Sequence, residues 1–196
     1  MSFLSCLRSV GFSGSRSPSS AAALALSELL PLVPARGCRV SVGCAAGVDS
    51  LVRSFFRSSP SLLVFSVASE GSLQEGFPRQ AKLPCRFGVG RSAFARRSVA
   101  CVRSVARSGV LVALPSAPVP PAGVRPRRSF SGGGSGSWGS VAFALGCGRS
   151  VLLWLPSGCL PPSWSGVSWS VSGSASVSCW WWFGVSVLAP VQLSLF

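Results

Sequence analysis

Five short runs of largely uninterrupted apolar residues (Leu7–Ser13, Arg39–Val42, Leu62–Val67, Val110–Leu114 and Ser150–Leu155) punctuate the first 156 residues of the chain. Apolar residues that do not alternate with polar ones need cover on both faces of a sheet, which is the signature of buried parallel strands. Segments of helical character stand between them: Ala21–Leu30, Val48–Phe56, Ala93–Arg107 and Ser137–Leu145. Ser17-Pro18-Ser19 offers the first of these an N-cap and a first-turn proline. In the third, Phe94, Val99, Val102 and Val105 share one side. Strand–helix alternation of this kind predicts an α/β fold with helices on both faces of a parallel sheet. Residues 70–91 and the Pro/Arg/Gly-rich segment 115–136 read as irregular connections. The chain therefore divides into an α/β domain over 1–156 and a tail over 157–196. After Arg149 that end of the chain carries no charge and holds six of the seven Trp, so the tail reads as irregular or β structure.

Composition narrows the chemistry. Seventeen Arg and one Lys face four acids (Glu28, Asp49, Glu70, Glu75), a net charge of +14. Such an excess favours a polyanionic partner, because phosphate contacts dominate affinity for nucleic acid. Ser, Gly and Pro make up 77 of 196 residues, a level seen in low-complexity chains, but 48% hydrophobic residues supply a core that disordered chains lack. Ile, Thr, Asn, Tyr and His are absent. Nearly all of these need adenine in the first or second codon position, so Ser stands in for Thr, Arg for Lys and Val for Ile. Without His there is no Ser-His-Asp triad, no Cys-His dyad and no His-ligated metal. Four acids in the whole chain argue against paired-carboxylate glycosidases and carboxylate-held cations. None of the eight Cys (6, 38, 44, 85, 101, 147, 159, 179) forms a C-x-x-C pair, so they read as free thiols that pack as small hydrophobes. No cofactor and no metal is expected. The N-terminal MSFLSCLRSVGFSGSR shows no signal-peptide pattern, and Ala21–Val33 is too short to span a bilayer. A cytoplasmic protein without integral membrane insertion is expected, with self-association into a homo-oligomer left open.

Three predicted strand ends or helix starts carry small residues: Gly14-Ser15-Arg16, Gly43-Cys44-Ala45-Ala46-Gly47, and Gly132-Gly133-Gly134-Ser135-Gly136-Ser137. Glycine lets a backbone approach a phosphate, and a helix N-terminus adds N–H donors and positive potential. In doubly wound folds ligands sit at the carboxyl ends of the strands. Asp49 suits a hydrogen bond to a ligand hydroxyl or a loop amide, or stabilises the macrodipole of the helix beginning at Val48. Arg96 and Arg97 are suited to gripping phosphate, or form a solvated helix face. Arg125, Arg127 and Arg128 precede the glycine run and suit nucleic-acid contact, or only solubilise the loop.

These elements together resemble the SLOG superfamily, which includes DNA-processing protein A and the phosphoribohydrolases first described as lysine decarboxylases. Val10–Ser19 resembles the opening G-[ST]-R element. Val40–Arg53, with Gly43, Ala45, Gly47 and Asp49, resembles S-G-x-A-x-G-[IV]-D. Phe94–Val102 resembles the F-x-x-R-[NK] helix start, with Ser98 in a region where Asn is common, and Val110–Ser116 followed by Gly132–Trp138 resembles the G-[GS]-x-G-T loop, with Ser137 where Thr is usual. The resemblance covers about residues 7–156 and implies a Rossmann-like sheet with a nucleotide site. That site would be built from Gly14, Ser15, Arg16, Gly43, Ala45, Gly47, Asp49, Arg96, Arg97, Gly133, Gly134, Gly136 and Ser137. Gly139 and Ser140 stand where the phosphoribohydrolases carry a catalytic glutamate, so a binder rather than a hydrolase is implied.

The final residues Gln192-Leu193-Ser194-Leu195-Phe196 are similar to the pentapeptide by which bacterial replication and repair proteins dock on the DNA sliding clamp. Leu195 and Phe196 are the apolar anchors of such a peptide and Gln192 its polar one, with Leu193 between them. An ordinary apolar terminal strand is the plainer alternative. The expectation from sequence is a nucleotide- or single-stranded-nucleic-acid-binding protein working near bacterial or phage DNA replication or recombination. Its rivals are a divergent nucleotide N-glycosidase, a sensor of a nucleotide-derived ligand, and a basic chain without a stable fold.

Overall fold

The computed structural model describes residues 2–34, 36–67, 86–87, 91–175 and 179–187. An α/β fold is built around β1 (Ser9–Gly14), which pairs in parallel with β2 (Arg39–Gly43) on one side and β5 (Val110–Leu114) on the other. Beyond β2 lie β3 (Leu62–Val67) and the two-residue β4 (Arg86–Phe87). Beyond β5 lies β6 (Ser150–Pro156). All six strands are parallel, and in β5 every residue is buried, as its unbroken apolar run requires. A hairpin, β7 (Val167–Ala175) and β8 (Cys179–Ser186), then continues the same sheet. The strand order is β4-β3-β2-β1-β5-β6-β8-β7.

Alternate residues of each strand feed two cores. Val10, Phe12, Val40, Val42, Val112 and Leu152 pack beneath α1 (Ser20–Leu29) and α2 (Val48–Phe55). Leu111, Ala113, Val151 and Leu153 pack beneath α3 (Arg91–Ser104) and α4 (Gly136–Gly146). On α1, Ala22, Ala25, Leu26 and Leu29 form the buried stripe at helical spacing. Each fully buried Leu contributes about 1.5–3 kcal/mol. Ser19 caps this helix, its Oγ accepting from Ala22 N at 3.2 Å. Pro18 therefore precedes the cap and does not enter the first turn as the sequence suggested. On α3 the buried side is Ala93, Cys101 and Val102, with Val105 just beyond the helix. Phe94, expected to share that side, is only half-buried.

The C-terminal hairpin is more integrated than an irregular tail. β7 takes the sheet edge, but β8 lies inside, antiparallel to β6 through six residue pairs from Val151–Gly184 to Pro156–Cys179. Trp181 is fully buried in the α1-side core, whereas Trp182, Trp164 and Trp169 pack on the α4 side. Trp169 stands opposite Gly184, whose missing side chain leaves room for the indole ring. The Trp164 ring meets Trp138 of α4 edge-on at 6.0 Å, which ties the connection before β7 to the core. Among the described residues no helix is long and apolar enough to cross a membrane.

Candidate functional site

The chain leaves β1 toward β2 and leaves β5 toward β6, so the strand order reverses between β1 and β5. A crevice opens at the carboxyl ends of strands at such a reversal. The cleft found there has a volume of about 830 Å³. Its walls are Gly14, Ser15 and Arg16 after β1, Ala45 and Asp49 from the β2–α2 turn, Phe94, Arg97 and Ser98 on α3, and Ser116 after β5. Phe130, Gly132, Gly134, Ser135, Gly136 and Ser137 also line it. The three small-residue loops picked out in the sequence thus meet at one edge of the sheet.

Two of the glycines act by bringing backbones together. Any Cβ at Gly14 would run into the Val48 side chain, so this residue lets α2 start directly behind β1. Gly47 has φ +69, and a Cβ there would strike the backbone of Ser15 and Arg16. The same approach allows Val48 N to donate to Ser15 O at 3.0 Å, locking the first loop to the second. On the far wall Ser135 caps α4, its Oγ accepting from Trp138 N at 3.3 Å, while its own N–H donates to Gly132 O at 2.6 Å. The first-turn amides of Gly136 and Ser137 have no carbonyl four residues back within the helix.

Charge is distributed unevenly around these walls. Asp49, in the first turn of α2, is buried, and its Oδ2 accepts from Ala45 N at 3.2 Å. Asp49 thus lies at a helix start and bonds a loop amide. One turn later Arg53 donates to Gly43 O at 2.8 Å and Ala45 O at 3.0 Å, so a guanidinium clamps the turn from behind. Arg97 approaches from α3, its Nη1 lying 3.2 Å from Cys44 Sγ. Arg16 and Arg97 both lie against the Phe94 ring, at 5.1 and 5.5 Å from its centroid. Beneath them, burial and then the Asp49 carboxylate push the Cys101 thiol far above its ordinary range, while Arg97 opposes the shift. That thiol is inert as a nucleophile. The cleft can therefore hold an anion: two guanidiniums and a helix N-terminus line it, and the one carboxylate that lines it among the described residues already accepts a loop amide.

Not every residue singled out in the sequence reaches the cleft. Arg96, beside Arg97, lies on the exposed side of α3 and outside the lining, because adjacent helical residues point about 100° apart. Gly133 packs toward Val124 and Pro121 instead. Gly43 lies below the cleft, at a small polar cavity of about 20 Å³ shared with Asp49, Arg97 and Ser140. Gly47 serves the loop contact and not the lining. Arg125 and Arg128 are exposed and Arg127 half-buried, donating to Gly123 O at 3.0 Å; all three lie outside the cleft. Gln192, Leu193, Leu195 and Phe196 lie outside the described residues. Sequence reasoning missed Phe94, Phe130, Ser98 and Ser116 as lining residues and Arg53 as the clamp. The one signal for Phe130 was its position ahead of the glycine run.

Among the described residues Cys6, Cys38, Cys44, Cys101, Cys147 and Cys159 are free thiols, and no group of three or more metal-ligating side chains gathers. No protein-family model matches the chain, and no curated protein matches it in sequence.

Proposed function

We propose that this chain binds the phosphate group of a nucleotide in the cleft between β1 and β5. The convergence of the three loops with Arg16 and Arg97 at the strand-order reversal carries this reading. In it, Gly134, Gly136 and Ser137 offer backbone amides, and Arg16 and Arg97 supply charge. The reading is one of binding without hydrolysis: Asp49, the only acid lining the cleft among the described residues, is engaged by the Ala45 amide. A role near bacterial or phage DNA replication or recombination rests on the resemblance of the loops to the SLOG superfamily. Titration calorimetry with nucleoside 5′-monophosphates at low salt tests the reading. Wild-type protein is expected to bind, and Arg16→Ser to bind about tenfold more weakly, from the loss of one charge-assisted hydrogen bond. Absence of binding to each of the adenosine, guanosine, cytidine and uridine 5′-monophosphates would overturn it. Base released from those nucleotides would establish the N-glycosidase alternative.

Single-stranded nucleic acid is a second ligand of the same chemistry. Exposed Arg125 and Arg128 belong to the segment that runs directly into Phe130 and Gly132 of the cleft wall. An oligonucleotide whose end enters the cleft would meet them outside it. Binding to single-stranded DNA is then expected to weaken with salt. Replacing Arg125, Arg127 and Arg128 by Ser should reduce the slope of log K against log salt by about 0.7 for each phosphate that is no longer neutralised. Salt-insensitive binding would refute this second reading.

A further inference from the structure

Two aromatic rings line the cleft, and they are not equivalent. Phe94 has the Arg16 and Arg97 guanidiniums against it, so its π-surface is engaged in positioning cations. Phe130, which lines the cleft beside the start of α4, has no cation on it among the described residues. It is half-buried, and it is held by an edge-to-face contact with Phe143 of α4 at 6.1 Å and 70°. Its position also depends on Gly139: a Cβ on that residue would lie 2.9 Å from the Phe130 Cζ and 2.7 Å from the Gly132 Cα. The ring thus occupies the space that any side chain at 139 would take. One residue, Ser131, separates the ring from Gly132, the first of the glycines leading into α4.

We propose that Phe130 is the platform on which the base of the bound nucleotide stacks, and that it makes the cleft selective for nucleotides over sugar phosphates. The inference rests on the phosphate-binding reading above and adds what that reading lacks, a group that recognises the base. A fixed, partly exposed ring beside a phosphate-binding turn suits a planar base. Stacking needs only a π-face and is tolerant of base identity. The same geometry explains why residue 139 is glycine: a longer side chain there would displace the platform.

Calorimetry with adenosine 5′-monophosphate and ribose 5-phosphate, on wild type, Phe130→Leu and Phe130→Trp, tests the proposal. Leucine keeps the apolar contact with Phe143 but loses the π-face; tryptophan keeps the face. Wild type is expected to prefer the nucleotide. Phe130→Leu should weaken nucleotide binding about 5- to 150-fold, the range of one base–aromatic stack, and leave ribose 5-phosphate within about twofold. Phe130→Trp should retain nucleotide binding. Equal affinity of wild type for the two ligands, or equal losses for both in Phe130→Leu, would overturn the platform and leave the phosphate site standing. Failure of folded wild type to bind either ligand would overturn the phosphate site and the platform with it.

Discussion

Replacing Trp181 tests whether the C-terminal hairpin belongs to the folding core. Trp181 is fully buried in β8, between β6 and β7, within the cluster that includes Leu152 and Trp154. Truncation of a buried Trp to Ala costs about 3–5 kcal/mol in lost transfer energy and cavity formation. One feature reduces that cost. The Trp181 indole N–H is buried and finds no acceptor among the described residues. Removing an unpaired buried neutral donor returns about 1 kcal/mol, the low end of the penalty for such a group. The net expectation for Trp181→Ala is a loss of about 2–4 kcal/mol. Trp181→Phe keeps most of the ring area and sheds the same N–H, so it should fall within about 1 kcal/mol of wild type. Urea unfolding followed by far-UV circular dichroism measures both. At about 2–4 °C per kcal/mol for a domain of this size, Trp181→Ala should also lower Tm by roughly 4–16 °C. An unchanged midpoint in Trp181→Ala would refute the reasoning. So would a separate early transition that carries the whole effect while the main transition stays put, because the hairpin would then be an accessory to the sheet and not part of its core.

Arg53→Ala should cost about 1.5–3 kcal/mol in urea unfolding, from the two carbonyls of the β2–α2 turn left without their charged donor, and it should weaken nucleotide binding by loosening Ala45 and Asp49. An unaltered midpoint would show that the clamp is dispensable. Burial pushes the Cys38 thiol from 9.0 up to about 11. Its protonated form is favoured in the folded state, so the associated stability is present below pH 9.0 and is lost as pH rises through about 11. At pH 8 its thiolate fraction is about 100-fold below that of an ordinary thiol, and iodoacetamide should label native Cys38 far more slowly than exposed Cys6. Comparable labelling, read by peptide mass spectrometry, would contradict its burial. A synthetic peptide ending in Gln192–Phe196 should bind a bacterial sliding clamp with micromolar affinity, about 8 kcal/mol, and lose it when Leu195 and Phe196 become Ala. Equal affinity of the two peptides would refute the motif.

Five of the parallel strands, β1, β2, β3, β5 and β6, were legible because their signal is local; the two-residue β4 falls in the segment 70–91 that reads as irregular and has no such run. Val110–Leu114 is apolar at every position, and a run of that kind needs cover on both faces wherever it sits. The stripe Ala22, Ala25, Leu26 and Leu29 likewise declares a helix through its own spacing. Glycines at strand ends pointed to the loops for the same reason, since a backbone that must pass close to another needs the missing side chain at that residue. The hairpin was harder to read. In Val167–Ala175, Ser alternates with Trp, Val, Gly and Ala, and a chain this rich in Ser offers little contrast between buried and exposed positions. That Trp181 enters one core while its neighbour Trp182 packs against the other depends on the register between β8 and β6, a long-range pairing that no local pattern encodes. The same holds at the cleft. Arg96 and Arg97 are equivalent as letters, and only the docking of α3 against the sheet turns one to solvent and the other to Cys44 and Phe94. Phe130 acquires its place from Gly139 and Phe143, on a helix it meets only in the folded chain. Local sequence specifies the conformation of a segment; the neighbours of a side chain follow from long-range packing, and the identity of a site depends on those neighbours.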